Sequence, residues 1–325
     1  MRRRDFTGLA LLALAALPIA AHAQRTSPTA HRIGILAQDL QPGLLETFKD
    51  ELGKLGYVEG TSISIELRNA AGQNERLGAL ADELLRQGVE VIVAVNTPAA
   101  QAAKRASSTI PIVIMRVADP VKSGLVSSLA RPIGNVTGLS FMPDALGPKG
   151  VELLHEIVPS ITRMAALYQG DNAGAVVIVD EVVRKGQTLG LDFVRVPVRD
   201  STDYQNAFAT AVSEKCKALF VMDDGAITNH REEILRLAAK DRLPVVSIYK
   251  DFAKSGALIA YGPNLDIVYR RAAQYVDKLI RGAKAGDLPI EQPVIFDLTI
   301  NQKTAKTLGI TIPESVLIRA DEIIE

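Results

Sequence analysis

Short apolar runs alternate with amphipathic segments along most of the chain, and this alternation limits the folds that the chain can adopt. The run His31 to Ala37 has the length and apolar composition of a buried parallel strand. In the next segment, Leu44 to Leu55, apolar residues recur at spacings of three and four, so they share one face of a helix. Repeated strand–helix units of this kind predict parallel sheets with helices on both faces.

The unit recurs in two series, which predicts two lobes. Strands of the first series are predicted at 31–37, 63–67, 91–95, 112–117 and 136–140. The second series has predicted strands at 164–168, 191–196, 218–222 and 245–249, helices at 173–189, 203–215, 228–240 and 265–281, and a strand-like segment at 294–300. The length of 325 residues suits two domains of about 150 residues each. We therefore expect an α/β protein with two doubly wound parallel-sheet lobes.

Residues 1–23 have the three parts of an export signal. Arg2 to Arg4 form a basic start, an apolar run extends from Gly8 to Leu17, and Ala21-His22-Ala23 supplies a small-x-small cleavage site, so the mature chain is expected to begin near Gln24. The run is shorter than the roughly 20 residues that a permanent membrane span needs. A disordered tail or an uncleaved anchor are the alternatives. We expect secretory export, and Arg3-Arg4 also resembles the twin-arginine signal of proteins exported already folded.

Charge and residue inventory exclude several functional classes. The chain has 37 basic and 37 acidic residues, and nucleic-acid binders that neutralise phosphates need a basic surplus. Cys216 is the one cysteine, so neither an intramolecular disulfide nor a cysteine-rich metal site can form. No glycine-rich nucleotide motif follows a strand, and there is no G-x-S-x-G elbow. We therefore expect no catalytic residues, no cofactor and no metal.

Polar residues follow the predicted strands, where open α/β sheets bind ligands. Asn96 and Thr97 follow one strand and precede Pro98, which the first turn of a helix tolerates. The start of that helix offers free N–H groups and partial positive charge, which suit a carboxylate. An ordinary helix cap without a ligand is the alternative.

Four further residues stand at strand ends. Arg116 and Asp119 follow the next strand of the first series, whereas Asp224 and Tyr249 follow strands of the second series. An acid at this position can hold an ammonium group, and a tyrosine can stack on a ligand and donate its hydroxyl. The alternative is that the acids cap the helices that follow. Asp223 and Asp224 are not expected to share a proton, because neighbouring residues in extended chain point in opposite directions.

Several segments resemble a family of exported ABC-transporter substrate-binding proteins that includes tryptophan- and tyrosine-binding members. They occur in the order of the family and span almost the whole mature chain. The segments include GYVEG at 56–60, NTPAA at 96–100, TIPIV at 109–113, DPV at 119–121, GNVTGLS at 134–140, NQKTAK at 301–306 and RADE at 319–322.

The resemblance implies a type I periplasmic-binding-protein fold, in which three chain crossings join the lobes and hinge closure traps a ligand. The first lobe would comprise 31–139 plus about 264–296, and the second 140–263 plus about 297–325. It further implies a periplasmic monomer that delivers a small-molecule ligand to the membrane permease of an ABC importer. No membrane span is expected after signal cleavage.

The resemblance also assigns roles by position. Asn96 and Thr97 become candidates for the ligand's carboxylate, with Asp119 near the cleft mouth, and Asp224 would meet an amine. Tyr249 would close the pocket, and Arg116 would fill part of the cleft or bind a second carboxylate. Because Arg116 departs from the family pattern, the ligand is expected to be an amino acid or another small carboxylate. A sensory binding protein of the same fold, an enzyme on an α/β scaffold and a repressor core are the alternatives.

Overall fold

The computed structural model describes residues 30–143 and 145–325. The strands are β1 (His31–Ala37), β2 (Ile63–Asn69), β3 (Val91–Val95), β4 (Ile112–Ala118), β5 (Val136–Phe141), β6 (Arg163–Gln169), β7 (Asp192–Val198), β8 (Ala218–Val221), β9 (Val245–Ser247), β10 (Ile259–Pro263), β11 (Ile290–Glu291), β12 (Phe296–Asn301) and β13 (Glu322–Ile324). The helices are α1 (Pro42–Lys54), α2 (Leu77–Arg86), α3 (Thr97–Ala106), α4 (Leu146–Ile157), α5 (Ala173–Thr188), α6 (Tyr204–Ser213), α7 (Gly225–Thr228), α8 (Arg231–Lys240), α9 (Lys250–Ser255), α10 (Leu265–Ile280), α11 (Gln302–Leu308) and α12 (Glu314–Leu317).

These strands form two sheets, which define the two lobes. The first sheet has the order β11-β5-β4-β3-β1-β2, and the second has the order β13-β12-β10-β9-β8-β6-β7. The pairs β1–β3, β3–β4, β6–β8 and β8–β9 are parallel, whereas β12 runs antiparallel to β10. The expectation of two α/β lobes with mainly parallel sheets is confirmed, with β12 as an antiparallel addition to the second sheet.

The strand sequences explain why helices cover both faces of the first sheet. All residues of β3 are buried. Val91, Val93 and Val95 pack in one core cluster with residues of α1 and α10, and Ile92 and Ala94 pack in another with residues of α2 and α3. Neighbouring side chains in a strand point to opposite faces, so a continuous apolar run requires cover on both sides.

The chain passes between the two sheets three times, after β5, after β10 and after β11. The second passage sends α10 back to pack on α1 and on β4 of the first sheet. The carboxyl ends of β1, β3 and β4 face those of β6, β8 and β9 across a cleft, as the Gln38–Gln169 and Arg116–Tyr249 hydrogen bonds show.

Two sequence predictions in the second lobe were wrong in detail. The strand predicted at 245–249 ends at Ser247, so Tyr249 instead precedes α9. The helix predicted at 228–240 is interrupted between α7 and α8. There the Asn229 amide donates to the Gly225 carbonyl and to Asp39 of the first lobe, and a local pattern does not contain this contact between lobes.

The export signal predicted at 1–23 lies outside the described residues. Within the described ranges, no helix is both long and apolar enough to cross a membrane.

Candidate ligand site between the lobes

The start of α3 faces the cleft from the first lobe. Asn96 precedes the helix with a φ of 76°, which is unusual for a residue other than glycine and is a common mark of functional sites. Its side chain makes no capping hydrogen bond within the described structure and instead donates to Gln38 Oε1 at 3.0 Å. The ordinary side-chain cap that the sequence left as an alternative is therefore not formed by Asn96. Since Pro98 carries no N–H, the first turn presents the N–H groups of Thr97 and Ala99.

Arg116 extends from the first lobe to the second. The register between β4 and β5 shifts between Ile114 and Val117, and Arg116 within this bulge has a φ of 56°. A bulge redirects a side chain at the end of a strand. The buried guanidinium stacks on Tyr249, with its central carbon 4.4 Å from the ring centroid, and Nε donates to the Tyr249 hydroxyl at 3.1 Å.

Tyr249 is buried on the second-lobe side of this contact. Its ring centroid lies 6.3 Å from that of Phe141, which comes from β5 of the first lobe. Burial raises the pKa of Tyr249 to about 12, although the charge of Arg116 opposes the rise. The hydroxyl therefore stays protonated at neutral pH and keeps a hydrogen to donate.

Two buried carboxyl groups follow β8. Asp223 and Asp224 have exposed fractions of 0% and 2%. Asp223 Oδ1 accepts from the Thr228 hydroxyl, and Asp224 Oδ2 accepts from Asn172 Nδ2 at 3.0 Å. The two side chains thus have different partners, in agreement with the expectation that they do not form a proton-sharing pair.

Some buried polar atoms at these strand ends have no hydrogen-bond partner among residues 30–143 and 145–325, and we call them orphan atoms. They include Arg116 Nη2, Asp223 Oδ2, Asp224 Oδ1 and the Tyr269 hydroxyl. Buried polar atoms in proteins are normally paired. A group of orphan atoms at the ends of facing strands therefore marks a place where a polar ligand would supply the missing partners.

Burial also raises the pKa of both carboxyl groups to about 7. For Asp223, the Thr228 hydrogen bond and the charge of Arg116 oppose the effect of burial. For Asp224, the Asn172 hydrogen bond opposes it, whereas the negative charge of Asp223 adds to it. A cationic group beside either carboxyl would favour its ionised form.

The lobes touch across the cleft. Gln38 Nε2 donates to Gln169 Oε1 at 2.6 Å, and Gln169 Nε2 donates to the Gly72 carbonyl at 3.3 Å. Two glycines allow the lobes to come this close, because a Cβ on Gly174 would overlap Thr97 Oγ1 and one on Gly225 would lie 2.8 Å from Asp39 Cβ.

Sequence reasoning missed Gln38, Gln169 and Asn172, although each stands at the end of β1 or β6. The strand-end rule that selected Asn96 and Asp224 applies to them equally. Their amide side chains join the two lobes or orient Asp224.

Asp119 contacts Lys122 of its own loop. Its carboxylate accepts from the Lys122 backbone N–H at 2.9 Å and lies 3.5 Å from Lys122 Nζ. With Phe141 and Glu181 it lines a cavity of about 280 Å³ at one edge of the cleft. The other sequence-predicted residues, Asn96, Thr97, Arg116, Asp224 and Tyr249, stand at the facing strand ends. No group of three or more His, Cys, Asp or Glu suited to a metal occurs in the described part of the chain.

Comparison with known proteins places this geometry in a family. A family model described as ABC transporter substrate binding protein matches residues 35–324. Over 267 residues the chain is 27% identical to a tyrosine-binding protein of Clostridioides difficile (strain R20291), an alignment that covers 82% of this chain and 75% of that protein.

Two solved structures show how similar the lobes are in arrangement. The ABC domain from Streptococcus pneumonia in complex with L-Trp is 26% identical, with a TM-score of 0.85 over 91% of this chain and 100% of that chain. The ligand-free, open structure of a substrate-binding protein with adhesive properties from Clostridium difficile is also 26% identical, with a TM-score of 0.65 over 91% and 99%. The two structures have nearly the same identity and coverage. The higher TM-score of the L-Trp complex therefore indicates that the lobes of this chain are arranged more as in that complex than as in the open structure. The chain belongs to the family of ABC transporter substrate-binding proteins.

Proposed function

We propose that this chain captures an amino acid between its two lobes and delivers it to the permease of an ABC importer. The observation that carries the proposal is the opposite electrostatic character of the two sides of the cleft. The first lobe presents the start of α3, and the second presents the buried, half-satisfied carboxyl of Asp224. A molecule with a carboxylate and an amine complements both sides.

The carboxylate of the ligand would lie at the first turn of α3. Backbone N–H groups and the helix dipole favour an anion there, and the Thr97 hydroxyl can add a hydrogen bond. Asn96 is held away from the capping position by its bond to Gln38, so it does not compete with the ligand for these N–H groups.

The amine of the ligand would donate to Asp224 Oδ1. Asn172 holds the other carboxylate oxygen and also accepts from the backbone N–H of Gly174 at the start of α5, which fixes its position. Because the ligand contacts both lobes, it binds the closed form more tightly and shifts the open–closed equilibrium toward closure. We infer that the permease reads the closed form.

The remaining parts of the proposal rest on the family and on the sequence. We infer that residues 1–23 direct export, that the protein acts in the periplasm as a monomer, and that no residue acts as a catalyst. We infer that Asp119 lies near the cleft mouth, because it lines a cavity there with Phe141. The relatives named above, a tyrosine-binding protein and an L-Trp complex, support an amino acid as the ligand class.

A thermal-shift screen of the chain from Gln24 tests the proposal. The panel contains amino acids, amine-free carboxylic acids, dicarboxylates, nucleosides and short sugars. A ligand at about 1,000 times its dissociation constant adds roughly 4 kcal/mol of stability, which raises Tm by several degrees in a protein of this size. We expect amino acids to give the shift. Stabilisation only by sugars or nucleosides would contradict the ligand class. Absence of any shift, with no small molecule released from the denatured protein in mass spectrometry, would contradict solute capture.

A further inference from the structure

One oppositely charged pair in the cleft is not used by the proposed amine and carboxylate contacts. Arg116 Nη2 and Asp223 Oδ2 are both orphan atoms, one a donor and the other an acceptor. The two residues come from opposite lobes, since Arg116 is in β4 and Asp223 follows β8. β8 pairs with β9 so that Val221 lies opposite Ser247, and Asp223 and Tyr249 each come two residues after this pair. Asp223 therefore lies beside Tyr249, the residue on which Arg116 stacks. The charge of Arg116 also lowers the pKa of the Asp223 carboxyl against the effect of burial.

Both side chains are held in place by other contacts, so the position of each orphan atom is fixed. Arg116 is fixed by the Tyr249 ring and hydroxyl, and Asp223 Oδ1 is held by Thr228. Both side chains are at least nine-tenths buried. A ligand group between them therefore meets the Nη2 amino group of Arg116 as donor and one carboxylate oxygen of Asp223 as acceptor, with little freedom for either residue to turn away.

The charges at this point discriminate among ligand groups. A carboxylate would pair with Arg116 but would face the like charge of Asp223, and an ammonium would pair with Asp223 but face Arg116. An apolar group would leave both orphan atoms unpaired, and an unmade hydrogen bond in a buried site is costly. An uncharged group that both donates and accepts hydrogen bonds satisfies both residues at once.

We propose that Arg116 and Asp223 together select a ligand whose far end is an uncharged group with both a hydrogen-bond donor and an acceptor, such as a carboxamide, ureido or hydroxyl group. The proposal rests on the proposed function, because it assigns the far end of the ligand whose amine and carboxylate are bound at Asp224 and α3. The acceptor of this group would lie at Arg116 Nη2 and its donor at Asp223 Oδ2. The Tyr269 hydroxyl, a further orphan atom, lies near Arg116, whose charge opposes the rise that burial causes in the pKa of Tyr269, so it can donate to the acceptor of the same ligand group.

Matched ligand pairs test this selection in the unmodified protein. Dissociation constants are measured by calorimetry for glutamine, glutamate and norleucine, and for tyrosine and phenylalanine. In whichever of these two sets binds, we expect glutamine to bind at least roughly tenfold more tightly than norleucine, or tyrosine than phenylalanine. Buried hydrogen-bonding groups reject analogues that leave them unpaired. We also expect glutamine to bind more tightly than glutamate. Equal or tighter binding of the apolar member would overturn the proposal and leave solute capture intact. If no amino acid binds, the proposed function fails as well.

Two neighbouring carboxyls provide a matched pair of variants. Asp223→Asn removes the like charge that opposes a carboxylate end, so we expect the preference for glutamine over glutamate to fall at least tenfold. Asp224→Asn removes the charge that binds the amine, which glutamine and glutamate share, so we expect it to weaken the binding of both ligands equally. For the tyrosine pair, Arg116→Lys is expected to reduce the preference for tyrosine over phenylalanine by shortening the donor. Circular dichroism shows whether each variant is folded. If a folded variant keeps the affinity ratio of the unmodified protein, for glutamine over glutamate or for tyrosine over phenylalanine, then Arg116 and Asp223 do not select the far end of the ligand.

Discussion

At the scale of single residues, we expect the two buried carboxyls to lower the stability of the ligand-free protein. An ionised carboxyl that is buried without full compensation is unfavourable, and Asp224 keeps an orphan oxygen although Asn172 holds the other. Arg116 and Arg231 moderate the effect at Asp223, whereas Asp251 adds to it. Retaining such groups is typical of a binding site, where function is gained at some cost in stability.

We predict that Asp224→Asn raises the Tm of the ligand-free protein at pH 8 and leaves it nearly unchanged at pH 4. Burial raises the pKa of this group from 3.8 to about 7, so between these values the folded state binds more protons than the unfolded state. The stability contribution of the carboxyl therefore falls as pH rises through this window, and the full penalty is present above about pH 7. Thermal denaturation at the two pH values measures the difference. An equal effect at both would show that the carboxyl does not change charge in this window.

The same variant separates two roles of Asp224 in binding. If the carboxyl holds an amine, Asp224→Asn weakens binding of amino acids but not of the corresponding acids without the amine. Titration calorimetry at pH 8 with one such pair measures this difference. An equal loss for both ligands would reject the assignment.

Thr97→Val tests the carboxylate end. The substitution keeps the shape of the side chain and removes its hydroxyl, so we expect a loss of about 1.5–3 kcal/mol, the value of a hydrogen bond to a charged group. Thr97→Ser, which keeps the hydroxyl, is the control and should bind much as the unmodified chain does. Unchanged affinity of Thr97→Val would remove Thr97 from the carboxylate site.

At the scale of elements, the start of α5 limits how closely the lobes approach. Gly174 lies in the first turn of this helix, and a Cβ there would overlap Thr97 Oγ1 on the opposite lobe. Gly174 is not one of the glycines with a positive φ. A glycine is therefore needed here because the lobes lie so close together, and not because of the backbone conformation.

We predict that Gly174→Ala lowers ligand affinity roughly tenfold or more, about 1.4 kcal/mol, because the methyl group hinders closure. The ligand-free protein can accommodate the methyl group by opening, so its Tm should change little. Gly78→Ala in α2 is the control. No described atom outside its own helix backbone and chain neighbours lies within 4 Å of a Cβ there, and the change should stabilise the helix by about 0.5–1 kcal/mol without affecting binding. Equal affinities of the two variants would show that Gly174 does not restrict closure.

The elements also show what local sequence patterns can predict. The strand β3 matches its predicted bounds because it is a continuous apolar run between Glu90 and Asn96, and the bounds of β1 match as well. The break between α7 and α8 was missed because it depends on Asn229 bonding to Asp39, 190 positions away in sequence. The hydrogen bond between Gln38 and Gln169, which lie 131 positions apart, could not be predicted for the same reason, although strand-end position could have selected both residues. Strand-end position identifies candidate site residues, but their partners are set by how the lobes face each other.

At the scale of the whole molecule, closure brings together polar residues that no single lobe can pair. Gln38 with Gln169 and Asp39 with Asn229 are hydrogen bonds between the lobes, and the Arg116–Tyr249 stack is a third contact. These contacts favour the closed form even without ligand. Burial of Asp223 and Asp224 disfavours their ionised forms, so we expect the balance between the open and closed forms to depend on pH.

We therefore predict that the ligand-free protein is more open at pH 8 than at pH 5.5. Below about pH 7 the closed form can bury neutral carboxyls, whereas above it closure must bury negative charge, which burial disfavours. Small-angle scattering should give a larger radius of gyration at pH 8, and a saturating ligand that supplies an amine should reduce it at that pH. The double variant Asp223→Asn, Asp224→Asn should show no such pH dependence, because neither amide titrates. A radius of gyration that is the same at both pH values in the unmodified protein would show that the two carboxyls do not control closure.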